Sequence, residues 1–75
     1  MDQSVEQQIA HRLKEIHPFL QLEAADIWDV VAAARGVTVF SKDGRFFGLT
    51  LSRSAARQLL HAWHVEVELV HLHRG

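Results

Sequence analysis

The segment VTVFSKDGRFFGLTL, residues 37–51, constrains this chain most, because β-branched and aromatic residues flank a Lys42-Asp43-Gly44 interruption and predict a β-hairpin. The length of the turn decides which side chains share a face. A two-residue Asp-Gly loop would mix Val37 and Val39 with Phe46, Gly48 and Thr50. A three-residue loop with Gly44 in a left-handed bulge position instead gathers Val37, Val39, Phe47, Leu49 and Leu51, and leaves Thr38, Phe40, Phe46, Gly48 and Thr50 opposite. This second register sorts apolar from polar better and is the one expected. It makes Phe40 and Phe46 a cross-strand pair on the wetter face, where they are either covered by a helix or the C-terminal residues or offered to a partner.

Before the hairpin, Val5, Ile9, Leu13, Ile16 and Leu20 keep the spacing of an amphipathic helix over residues 4–17, and Pro18 breaks it. A second helix is predicted from residue 18 or 19 to residue 35. Its stripe is Leu20, Ala24, Ile27, Val31 and Ala34, with Arg35 near the negative end of the dipole and Gly36 as its C-terminal cap. After the hairpin, Ser52, or Ser54 in competition, caps a third helix over residues 53–62, on which Ala56, Leu59, Leu60 and Trp63 form the apolar stripe. From His64 onward Val65, Val67 and Leu69 alternate with Glu66 and Glu68, which predicts a strand over residues 64–70 with a parity slip near Val70. The expected fold is therefore α+β in the order α-α-β-β-α-β. Its small three-stranded mixed sheet is the hairpin plus the C-terminal strand, packed against the helices, with strand 37–41 preferred at the centre.

A chain of 75 residues is expected to be one domain, residues 1–75, with room for a single core, and self-association is a common way for so small a core to gain stability. The absence of cysteine removes disulfides, thiolate metal ligands and cysteine nucleophiles, so a cytoplasmic setting is expected. The acidic, polar start and the short apolar runs predict neither a signal peptide nor a membrane span. The net charge of −1 hides an asymmetry: residues 1–29 are rich in acids, whereas Arg35, Lys42, Arg45, Arg53 and Arg57 follow with only Asp43 among them.

Six histidines are unusual for this length, and His61, His64, His71 and His73 are the candidate metal ligands, as H-x-x-H at a helix end followed by H-x-H on a strand face. All-histidine sites are rarer than mixed ones, and His61 is equally explained by its place near a helix C-terminus, so neither a metal nor another cofactor is expected. No nucleophile beside a base, carboxylate pair in an apolar setting or glycine-rich phosphate cradle stands out, which argues against an enzyme. Nucleic-acid binding would use Lys42, Arg45, Arg53 and Arg57 with Phe40 or Phe46 stacking on bases, but the net charge is negative and no winged helix-turn-helix or RNA-binding aromatic motif is spelled out. The expected function is a noncatalytic protein-interaction module. A homodimeric regulator, an adaptor or a small inhibitor of the kind mobile elements encode would all qualify, with contacts sought among Trp28, Phe40, Arg45, Phe46, Arg53 and Arg57.

Overall fold

The computed structural model describes residues 4–74, with side chains described as far as residue 68. Helix α1, Val5–Ile16, starts on a capping box in which the Ser4 hydroxyl accepts from the Gln7 backbone N–H at 3.2 Å and the Gln7 side chain accepts from the Ser4 N–H at 3.1 Å. It stops just before Pro18, as the spacing predicts. A 3-10 turn, Ala24–Asp26, then leads into strand β1, Ile27–Ala33, followed by β2, Gly36–Ser41, β3, Phe46–Thr50, and helix α2, Arg53–Arg74. The molecule is thus an α+β domain with two helices and an antiparallel sheet ordered β1-β2-β3.

The hairpin register is the expected one. Val37 pairs with Leu49, Val39 with Phe47 and Phe40 with Phe46, around a Lys42-Asp43-Gly44 loop in which Gly44 has φ 90°. Strand 37–41 is central, but its second neighbour is β1 and not a C-terminal strand.

Two predicted elements are corrected. Residues 18–35 do not form a helix: they supply an extended connection, the 3-10 turn and β1. A bulge between Ile27 and Asp29 inserts Trp28, without a partner of its own, between the Ile27-Ser41 and Asp29-Phe40 pairs, so the inward residues Ile27 and Val30 fall three apart and imitate helical spacing. Gly36 accordingly does not cap a helix. It opens β2 after the Ala34-Arg35 turn, with φ 145°, and a Cβ there would lie 2.1 Å from the Leu49 carbonyl oxygen.

Residues 64–70 are likewise not a strand but the continuation of α2. No glycine or proline interrupts residues 53–74, and the stripe Ala56, Leu60, Trp63, Val67 outweighs the local alternation; the parity slip at Val70 is what a helical period produces in a strand template. The Ser52 hydroxyl accepts from the Ala55 N–H at 3.2 Å and so caps α2.

Both helices pack on one face of the sheet. Ile9 and Leu13 of α1, Leu22 of the connection after it, Val30, Val37, Val39 and Leu49 of the inner sheet face, and Ala56 and Trp63 of α2 make one buried cluster. Among the described residues no helix is long and apolar enough to cross a membrane.

Candidate functional site

The antiparallel pairing arranges the opposite, open face in three rows. At the hairpin-turn end, Trp28 at the bulge, Phe40 and Phe46 form an aromatic row; the middle row is Val31, Thr38 and Gly48; the far row is Ala33, Gly36 and Thr50. Trp28 meets Phe40 edge-on with ring centroids 6.5 Å apart and planes at 83°, and Phe40 meets Phe46 at 6.3 Å and 43°. Two of these rings are mostly in solvent, Trp28 at 65% and Phe46 at 70% exposure, and Phe40 between them is half-buried. The sequence leaves a covering element open for Phe40 and Phe46; among the described residues both helices lie on the other face.

The bulge is held from within. The Asp29 carboxylate accepts from the Val30 N–H at 2.8 Å and from the indole N–H of buried Trp63 at 3.2 Å, tying β1 to α2. The Asp29 carboxylate is thereby engaged beneath the rings, while Lys42 stands exposed at the hairpin turn just beyond the aromatic row.

Arg45 does not join this face. It shares the covered side with Phe47, over whose ring its guanidinium sits at 5.6 Å. Its Nε donates to Asp43 Oδ2 at 2.8 Å and its Nη2 to the Gln21 carbonyl at 3.1 Å, so it fastens the hairpin turn to the connection after α1. The Ser41 hydroxyl also donates to Asp43. The Arg45 hydrogen bond first, and the Ser41 one second, hold the Asp43 carboxyl at a pKa of about 2, below the usual carboxylate range.

Arg53 and Arg57 lie at the other end of the molecule. On the first turns of α2, together with Arg35, they rim a groove of about 440 Å³ floored by Ala32, Leu51, Ala56 and Leu60. None of the three guanidinium groups has an ionic or hydrogen-bond partner among the described residues. The candidates therefore divide: Trp28, Phe40 and Phe46 come together, Arg53 and Arg57 form a separate rim, and Arg45 is a structural tie. Val31 and Arg35 are not among the expected contacts: in the predicted second helix Val31 lies on the apolar stripe and Arg35 at the negative end of the dipole.

His61 and His64 are exposed on α2. His71 and His73 belong to the same helix, with side chains outside the described ones, and two residues apart on a helix is about 200° of rotation, so the shared strand face expected for H-x-H does not arise. Among the described residues no group of three or more His, Cys, Asp or Glu is placed to hold a metal ion. His11 pairs with Glu15 at 2.8 Å on the exposed side of α1.

No family model, no curated protein and no solved structure matches this chain.

Proposed function

We propose that this chain is a noncatalytic protein-interaction module that docks its partner on the open face of the sheet. The observation that carries the reading is the contiguous Trp28-Phe40-Phe46 row, in which two large rings are more than half exposed on a rigid, hydrogen-bonded scaffold. Aromatic residues are the side chains that most often dominate interface energetics, with losses of about 2 kcal/mol or more when truncated. A cytoplasmic regulator, adaptor or inhibitor fits this arrangement, and the lack of cysteine suits that compartment.

The test is affinity capture from the native host with the wild-type chain and with Trp28→Ser and Phe46→Ser. A protein retained by the wild type and lost by both variants, whose addition slows amide exchange in β2 and β3, supports the reading. Retention of the same protein by both variants sinks it.

One observation favours nucleic acid as a second reading: the three unpaired arginines around the α2 groove. It expects oligonucleotide binding that weakens with salt and disappears in Arg53→Glu/Arg57→Glu. A wild-type chain that ignores DNA and RNA at low salt removes it.

A further inference from the structure

We infer that the partner on the open face is a second copy of this chain, packed sheet against sheet about a two-fold axis that lies between the sheets and runs along the Val31-Thr38-Gly48 row. The inference rests on the reading of that face as a docking surface and adds the occupant and its orientation.

Exposure argues first. Among the described residues six large apolar side chains stand exposed, and three of them, Trp28, Val31 and Phe46, lie on this one face.

Shape argues next. The face is a wedge: an aromatic row at the hairpin-turn end, Val31, Thr38 and Gly48 in the middle, and Ala33, Gly36 and Thr50 at the far end. Gly48 leaves open space where a side chain would stand, with no atom within 4 Å of an added Cβ. An axis along the middle row reverses the strands, setting the thick row of each copy on the thin row of the other. Phe40 then lies over the partner's Gly36 and Phe46 over the partner's Thr50, and two wedges make a layer of even thickness near the ~10 Å at which sheets pack. An axis along the strands would instead stack ring on ring and leave the far row empty.

Charge agrees with both. Apart from Asp29, whose carboxylate is engaged by Trp63 and Val30, the rows contain no ionisable side chain, which suits an apolar protein surface and offers a polyanion nothing.

Sedimentation equilibrium over a micromolar to millimolar range tests the occupant. The wild type is expected to move from 8.5 kDa toward twice that mass. Trp28→Ser and Phe46→Ser, which keep the wild-type circular dichroism, are expected to weaken self-association roughly hundredfold, since a symmetric interface feels each substitution twice. The chain has no cysteine, so orientation is read by adding one. Thr38→Cys, on the axis, is expected to link copy to copy with a short bis-maleimide, whereas Gln58→Cys on α2 is not. A wild type that stays monomeric throughout, or a dimer that survives both serine variants, overturns the inference. So does linking through Gln58→Cys in place of Thr38→Cys. A monomer that nonetheless loses a captured foreign protein on Trp28→Ser leaves the docking face standing with a different occupant; a monomer with no ring-dependent capture removes both.

Discussion

Replacing Gly36 by alanine should be the most damaging methyl addition available to this chain. Gly36 holds φ 145°, a region that L side chains rarely adopt, and the new Cβ would meet the Leu49 carbonyl oxygen at 2.1 Å and the Leu51 nitrogen at 2.7 Å. Both are backbone atoms, so no rotamer change relieves the collision. The link from β3 to α2 must move by about an ångström, which strains the bond from the Leu51 N–H to the Arg35 carbonyl at 3.0 Å. Backbone strain of about 1–3 kcal/mol, overpacking of similar size and about 1 kcal/mol for the weakened hydrogen bond together suggest a loss of roughly 3–7 kcal/mol. At about 0.05–0.15 kcal/mol per residue the whole fold is worth roughly 4–11 kcal/mol, so the variant should be partly unfolded in buffer.

The assay is urea unfolding followed by far-ultraviolet circular dichroism, with Gly48→Ala as the internal control. Gly48 has no positive φ and no atom within 4 Å of its added Cβ, so that variant should be neutral or slightly more stable than wild type. With a slope of about 1 kcal/mol per molar urea, the Gly36→Ala midpoint should fall by about 3 M or be lost altogether. Equal midpoints for the two variants would refute the packing of Gly36 against residues 49–51, and with it the register of the sheet.

Three further outcomes follow from local geometry. Asp29→Ala should cost about 1–3 kcal/mol by stranding the Trp63 indole N–H, whereas Asp29→Asn keeps an acceptor and should cost much less; equal thermal shifts would show that the 3.2 Å bond contributes nothing. The Asp43 carboxyl has a folded pKa of about 2 against an ordinary 3.8, so its stabilisation is complete above the ordinary value and lost as pH falls toward 2. Asp43→Asn should therefore flatten the acid limb of the stability curve, and an unchanged limb would remove the turn as its cause. Glu66 has a carboxylate oxygen that is enclosed without a partner, so Glu66→Leu should raise the melting temperature by several degrees, about 1 kcal/mol; a fall would show that the oxygen is solvated after all.

The sequence made the hairpin legible because two independent signals agreed there. Alternation sorted Val37, Val39, Phe47 and Leu49 inward, and Gly44 fixed the only turn consistent with that sorting. The first helix was legible from the spacing of Val5, Ile9, Leu13 and Ile16 and from Pro18 beyond its end, while the Ser4-Gln7 capping box at its start emerged only with the structure. Both failures came from short windows in which two periods fit. Around Trp28 the bulge stretched the inward spacing of a strand to that of a helix, and Val31 and Ala34 happened to continue the false stripe. Beyond His64, alternating valines and glutamates fitted a strand over five residues, while the helical stripe running from Ala56 through Trp63 to Val67 spans more than twice that length. Long-range cooperativity settles such ties: α2 gains an uninterrupted helical ladder, and β2 needs a neighbour on each side, which β1 supplies.

The candidate site shows the same division. Phe40 and Phe46 were paired by local register, whereas the company of Trp28 depends on β1 being a strand at all. Both helices pack on the same face of the three strands, so the other face stays open among the described residues. What geometry does not require is rings on it. Threonine satisfies strand propensity as well as phenylalanine does and keeps a solvated face soluble, and the chain uses it at Thr38 and Thr50. Large aromatics at one end only, with small residues at the other, are poor design for a surface that meets nothing but water. They are economical for a surface that meets its own inverse, and this contrast between the two ends is the feature from which the self-pairing inference draws its direction.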